Sequence, residues 1–335
     1  MPEDVLVVGD EAGFVRFYRP EEMAARRPLL ELPHPDEVRD VSFAPDGRRL
    51  AFMSWKRDAS FHQELGSESP KAPVRLETPD QTGHYHSVGD VPGFVPGSGE
   101  YVSCGSNALN FSDVSGAAAV QKRSLPLGGK FISGVFDAAG RHALVSHDRG
   151  AEWLSLSDGK ARNTAIDGLS YALVALSCDG ATAAAIKRPG QVECVVWQTT
   201  DDHVLWRHQA PSMLNQLAFH PGGGILALAL WEGHMEIWDI KSGKLLQRFP
   251  SGTGPWGVRF FGRAGERLLA LLPRLEVQIW DWQAGDELLR LPTGSTPFAA
   301  AVSPDGLALA VASYNPGVTV HLAMPWWRGA RNGER

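Results

Sequence analysis

An all-β ring of four-stranded antiparallel sheets is predicted by three observations in this sequence. One stretch holds four short alternating apolar runs divided by turn residues. A glycine returns at a nearly fixed interval along the chain. The strands that follow each of these glycines change character in the same order every time.

The stretch is Leu217 to Pro250, LAFHPGGGILALALWEGHMEIWDIKSGKLLQRFP. Its runs LAF, ILALAL, MEIW and KLLQRF are separated by a Pro-Gly cluster, a Glu-Gly step and a Ser-Gly step, the pattern of four strands joined by tight turns. A single four-stranded meander cannot bury both of its faces, so it needs copies of itself on either side.

The glycine supplies those copies. It stands four residues after an apolar strand end in Phe43 and Gly47, Val95 and Gly99, Phe136 and Gly140, Leu176 and Gly180, Phe219 and Gly223, Phe261 and Gly265, and Val302 and Gly306. Successive glycines are 52, 41, 40, 43, 42 and 41 residues apart. The turns APDG (Ala44 to Gly47) and SPDG (Ser303 to Gly306) show why: proline presets the first torsion, aspartate bonds locally, and glycine takes the positive torsion that closes the hairpin.

After each turn a second strand follows, as in RHALVSH, ATAAAIK, GILALALW and ERLLALL, small and aliphatic on both faces as a strand between neighbouring sheets must be. The third, as in AEWLSLS, VECVVW, HMEIWD and LEVQIWD, is amphipathic and belongs further from the axis. The fourth, as in VQKRSL, HVLWRH, KLLQRF and DELLRL, carries more charge, as an exposed edge should.

With these marks in place the chain resembles the WD-repeat family of β-propellers from Asp4 to Met324. Trp238-Asp239 and Trp280-Asp281 stand where that family's Trp-Asp pair ends the third strand, and Val196-Trp197 is a degenerate copy. His34 to Phe43, HPDEVRDVSF, matches the family's entry into the innermost strand, Gly83-His84 matches its Gly-His pair, and four strands per repeat of about 40 to 45 residues is its period. The resemblance implies a rigid ring with a broad face, side walls and an axial channel. The turns between second and third strands lack most of the family's Asp residues, so packing between sheets is expected to hold the ring in place of a repeated polar network.

Seven sheets are expected, with eight as the alternative count. The C-terminal copy has no evident fourth strand, and Pro28 to Pro33, PLLELP, reads as one that closes the ring from the N-terminal side. Val5 to Gly9 and Phe14 to Tyr18 read as second and third strands, which is the case for an eighth sheet. Residues 1–323 then form one domain and 324–335 a tail bearing Trp326 and Trp327, while Glu21 to Arg27 reads as a short helical turn.

Composition narrows the function classes. With 335 residues, 43% of them apolar, the chain can bury a large core, and 36 glycines and 23 prolines fit frequent turns. A formal charge of -6 argues against general attraction to nucleic acid or anionic membranes. The acidic start MPEDVLVVGDEAG lacks the form of a signal peptide, and no apolar run approaches a membrane span, so a cytoplasmic location is expected. Cys104, Cys178 and Cys194 have no metal-type spacing and suit a reducing compartment.

Catalytic motifs are absent from the sequence: Gly128-Gly129-Lys130 runs into Phe131 without the rest of a phosphate loop, and there is no HExxH, GxSxG or dinucleotide fingerprint. No cofactor is expected. His84 and His86, two apart on a strand and near Asp90, could reach one metal ion, but a single segment with two imidazoles and one carboxylate is a poor site without a further ligand, so no metal is expected. Asp36, Glu37, Asp40 and Asp90 could line the channel, and nothing pairs them as acid and base.

The turns between second and third strands should gather on one face. They and their borders carry Trp55, Lys56, Arg57, His147, Arg149, Lys187, Arg188, Trp231, His234, Arg274 and Tyr314. Aromatic and arginine residues dominate interface hot spots. A basic, aromatic rim that receives a protein partner through an acidic or phosphorylated segment is therefore expected, in a non-catalytic scaffold or peptide-recognition protein. The alternative is an enzyme of hydrolase or lyase type with its site at the mouth of the channel.

Overall fold

The computed structural model describes residues 91–292, apart from 117, 189, 263, 274 and 275, together with segments 6–9, 14–18, 30–33, 38–44, 50–54, 59–62, 74–76, 297–302, 308–313 and 321–322. Among these residues the strands form six four-stranded antiparallel sheets and two three-stranded ones, and no helix occurs. Every sheet takes its strands in chain order, so each is a simple meander. We number the sheets along the chain.

Sheet 1 is Leu6–Gly9, Phe14–Tyr18 and Leu30–Pro33, and sheet 2 is Val38–Phe43, Leu50–Ser54, Ala59–His62 and Val74–Leu76. Sheet 3 comprises Gly93–Phe94, Tyr101–Cys104, Ala108–Asp113 and Val120–Pro126. Sheet 4 comprises Phe131–Phe136, His142–His147, Gly150–Ser155 and Ala161–Asn163. Sheet 5 comprises Leu173–Leu176, Thr182–Ile186, Glu193–Gln198 and Val204–Gln209. Sheet 6 comprises Leu214–Phe219, Ile225–Leu230, His234–Asp239 and Lys244–Pro250. Sheet 7 comprises Gly257–Phe261, Arg267–Leu272, Glu276–Asp281 and Asp286–Pro292, and sheet 8 comprises Pro297–Val302, Ala308–Ser313 and His321–Leu322.

The repeat glycine explains the first turn of each sheet. Gly99, Gly140, Gly180, Gly223 and Gly265 have φ between 62° and 71°. In the four turns that end in Gly140, Gly180, Gly223 and Gly265, the glycine amide donates to the carbonyl three residues back, at 2.8 to 3.2 Å. A Cβ at position 140 would stand 2.1 Å from the Pro96 carbonyl oxygen, so there the glycine is also a packing requirement between sheets 3 and 4.

Burial follows the predicted gradient from axis to edge. The second strands of sheets 4 to 7 are buried at every position after the first, while the fourth strands of sheets 3, 5 and 6 are largely exposed. Apolar cores lie between neighbouring sheets. One joins sheets 3 and 4 around Phe111, Phe131 and Leu154; another joins sheets 4 and 5 around Leu144, Val174 and Trp197. The next pair of sheets meets around Cys194, Leu217 and Leu228, and sheets 6 and 7 meet around Met235, Phe249 and Trp280. Each fully buried aliphatic or aromatic side chain contributes roughly 1.5–3 kcal/mol, so the ring is held sheet on sheet.

First strands neighbour one another around the axis. Phe131–Phe136 lies beside Leu173–Leu176, which lies beside Leu214–Phe219, then Gly257–Phe261 and Pro297–Val302. Pro297–Val302 lies beside Val38–Phe43, Val38–Phe43 beside Gly93–Phe94, and a bridge from Val91 to Gly134 continues the series, so the run returns on itself. This is a propeller-type closed arrangement.

The N-terminal closure differs from the sequence expectation. Among the described residues Leu30–Pro33 pairs only with Phe14–Phe17, as an outer strand of sheet 1. It is Leu6–Gly9 that lies against Ala308–Ser313 of the last sheet. The LVVG strand takes the side of sheet 1 next to the last sheet, and the LELP strand takes the opposite edge. The expected helical turn at 21–27 and the tail with Trp326 and Trp327 lie outside the described residues, as do His84, His86 and Asp90.

Candidate functional site

In a four-strand meander, the turn between second and third strands and the segment leading into the first strand lie at the same end. The structure shows this directly. Trp231 N donates to Met213 O at 2.8 Å, Tyr171 N to His147 O at 3.1 Å, Leu214 N to Gln191 O at 2.6 Å and Asp148 N to Lys130 O at 3.1 Å. These segments form one face of the ring.

The strongest feature of that face is aromatic and apolar. Trp231 is 57% exposed, and Tyr171, Met213 and Trp256 are exposed too. Among the described residues these three aromatics are the exposed large aromatic side chains; the remaining exposed large apolar residues, Val120, Leu205, Leu245, Leu246 and Leu288, are aliphatic and lie on fourth strands. Trp231 occupies the second turn of sheet 6, Met213 immediately precedes that sheet's first strand, and Trp256 immediately precedes the first strand of sheet 7.

Backbone contacts hold these three side chains on one patch. Beyond the bond from Trp231 to Met213, Asn215 Nδ2 donates to Pro255 O at 2.9 Å and ties the entry of sheet 6 to the entry of sheet 7. Gly254 packs on the Trp231 backbone so closely that a Cβ there would stand 2.3 Å from Trp231 O. Only glycine allows the 251–256 connection to pass beneath the Trp231 turn.

Of the rim residues expected from the sequence, Trp55, Lys56, Arg57, Arg274 and Tyr314 lie outside the described residues. Arg149 and Trp231 are exposed. Arg188 is half-buried, and burial holds its guanidinium below its ordinary pKa. Lys187 is half-buried, with Nζ 3.1 Å from Glu193, so its charge is already paired. His147, 3% exposed, is a wall residue: its Nδ1 accepts from Arg149 N at 3.2 Å. His234 turns inward to within 3.5 Å of the buried Glu236.

The rim's charge is therefore more balanced than its cations alone suggested. Carboxylates interleave with them: Asp148 accepts from Lys130 N at 2.8 Å, and the buried Glu152 accepts from Gly128 N at 3.2 Å. Strand alternation is the physical reason for the inward histidines. His147 ends the second strand of sheet 4, which is buried at every position after its first, and His234 shares a strand face with Glu236 and Trp238. Tyr171, Met213 and Trp256 were missed because they stand in connections before first strands, and a signal existed in the large apolar residue preceding LVAL, LNQLAF and GVRFF within one or two positions.

The Trp-Asp pairs sit where expected, at the ends of third strands. Asp239 accepts from Ser242 N at 2.7 Å and Ser242 Oγ at 2.8 Å, bonds that lower its pKa, while Asp281 is bound by Arg267 at 2.6 Å. These aspartates close the turn to the fourth strand, away from the aromatic face. Trp238 Nε1 donates to Glu236 at 2.9 Å and Trp280 Nε1 to Gln278 at 3.2 Å, so each indole N–H is satisfied inside its own strand.

Other candidate chemistry is sparse. Cys104 and Cys194 are buried, and burial raises both thiols, whereas Cys178 is exposed in a first turn. Among the described residues no group of three His, Cys, Asp or Glu could hold a metal ion, and no helix is long and apolar enough to cross a membrane.

No family model and no curated protein matches the chain. Among solved structures it is similar to Kuenenia stuttgartiensis hydrazine synthase, with 17% identity and a TM-score of 0.66 over 84% of this chain and 94% of that one. At that identity the likeness speaks for the propeller-type fold alone.

Proposed function

We propose that the protein is a non-catalytic interaction scaffold of WD-repeat type that docks a protein partner on the face built from the second turns and the strand entries. The observation that carries this reading is the gathering of Trp231, Trp256, Met213 and Tyr171 on one face, while the exposed aliphatic residues are spread over the outer strands. Rigid aromatic side chains contribute large contact area at small entropic cost and supply most hot spots. Arg149, exposed on the second turn of sheet 4, offers a cationic partner for an acidic or phosphorylated residue of the same segment.

The test is recovery of co-purifying proteins from the source lysate, quantified by mass spectrometry, with the wild type, with Trp231→Ala combined with Trp256→Ala, and with Leu246→Ala on the outer wall. A set of proteins lost from the double variant and kept by Leu246→Ala is expected. Equal recovery with all three would remove this face as the docking surface.

A further inference from the structure

The seam between sheets 5 and 6 carries an ionisable cluster that the partner face does not use. Glu236 is 1% exposed and faces sheet 5 from the third strand of sheet 6. Its carboxylate accepts from Arg248 at 2.6 Å and from Trp238 Nε1 at 2.9 Å. His208, on the fourth strand of sheet 5, places Nε2 3.6 Å from it, and His234 places Nε2 3.5 Å from it. Both Nε2 atoms are buried without a hydrogen-bond partner.

The next seam shows what is unusual. His208 pairs in register with Cys194, and Phe249 pairs with Met235, so the two hold equivalent places on successive fourth strands. Phe249 packs on Trp280 at 5.0 Å and 46°; His208 packs on Trp238 at 4.5 Å and 46°. Where sheet 7 has Gln278, sheet 6 has Glu236. A neutral apolar wedge in one seam is a titratable one in the other.

His208 also stacks on Trp206 at 5.3 Å and 1°, so aromatic rings cover two sides of it. The groups that face it are Glu236 and His234 from the third strand of sheet 6, Arg248 from the fourth, and the buried Cys194 thiol beside it. Arg248 and the indole N–H already occupy both oxygens of Glu236. A proton on His208 would therefore place a largely buried cation beside a counter-charge already shared with Arg248 and the indole.

We propose that this seam is a proton-operated latch: His208, wedged between Trp206 and Trp238, holds the outer parts of sheets 5 and 6 together when neutral and lets them part when it is protonated. Burial first, and then Arg248, hold the imidazole below its ordinary value of 6.5, against the pull of Glu236. The open seam, with a solvated imidazole, thus takes up a proton that the closed seam refuses. Stability from this contact is full above about pH 6.5 and declines as pH falls through the interval down to the lowered value.

Cys194, buried under His208, reports opening, and the buried Cys104 in sheet 3 is an internal reference for the pH dependence of thiol chemistry. Labelling of Cys178→Ser protein with 4,4′-dithiodipyridine, read at each cysteine by mass spectrometry, should show the Cys194-to-Cys104 rate ratio rising roughly threefold or more from pH 7.5 to 5.5. His208→Phe, which copies Phe249, should hold that ratio flat. A flat wild-type ratio, or the same rise in His208→Phe, overturns the latch. NMR titration of the wild-type His208 ring gives an independent reading: a midpoint below 6.5 is expected, and one at or above 6.5 overturns it.

Discussion

Two neighbouring seams of the ring have the same backbone and opposite chemistry. Between sheets 6 and 7, Phe249 lies on Trp280 and the indole bonds a neutral Gln278. Between sheets 5 and 6, His208 lies on Trp238 and the indole bonds a carboxylate. Strand register fixes where the three side chains meet, and the ring closes with either set. The repeat therefore constrains shape and leaves charge free to vary, so charge is where one seam can acquire a property that its neighbour lacks.

The largest expected effect breaks the neutral seam. Trp280 is 5% exposed, and Trp280→Ala should cost about 3–5 kcal/mol in denaturant unfolding, through lost burial and the cavity left behind. Trp238→Ala, at a half-buried indole, should cost less; an equal or larger loss would mean that the charged seam is the stronger one.

Exchanging the polar residue sharpens the comparison. Gln278→Glu places a carboxylate where its cross-strand partner, Arg290, is already bound to Glu287 at 2.8 Å and Glu276 at 3.3 Å, and should cost about 2–4 kcal/mol at pH 8. Glu236→Gln copies the neighbour and should change stability by less than about 1 kcal/mol. Arg248→Ala leaves Glu236 buried without its cation, but the guanidinium is half in solvent, so about 1–2 kcal/mol is expected. If Arg248→Ala is silent while Glu236→Gln is costly, the carboxylate is held by the indole and histidines instead.

The smallest effect separates the seams from the face. Trp231→Ala removes an exposed side chain and should move stability by no more than about 0.5 kcal/mol, measured by thermal unfolding, while abolishing partner recovery. A large loss of stability would make Trp231 a packing residue.

Much of this was legible from the residues. The glycine at Gly140, Gly180, Gly223 and Gly265 marked each first turn because only a residue without Cβ takes that torsion cheaply. Burial of ILALAL and RLLALL at nearly every position followed from small aliphatic composition, and exposure of VQKRSL and KLLQRF from charge. The face was legible only in part. Trp231 was visible as an indole in a turn, yet His147 and His234 occupy the ends of buried strands and point inward, where strand alternation and the depth of the hairpin decide direction.

By itself the sequence determined the local rules: four strands per unit, their order from axis to edge, and the turn residues between them, because these depend on periodicity and torsional preference within a few residues. Tertiary structure alone decided which units face each other. It brought Met213, Trp231 and Trp256 from three connections onto one patch, set Leu6–Gly9 against Ala308–Ser313, and placed His208 of one sheet over Glu236 of the next. Those meetings join residues far apart in the chain, and they arise only once the sheets stack, because each buries its second face on its neighbour.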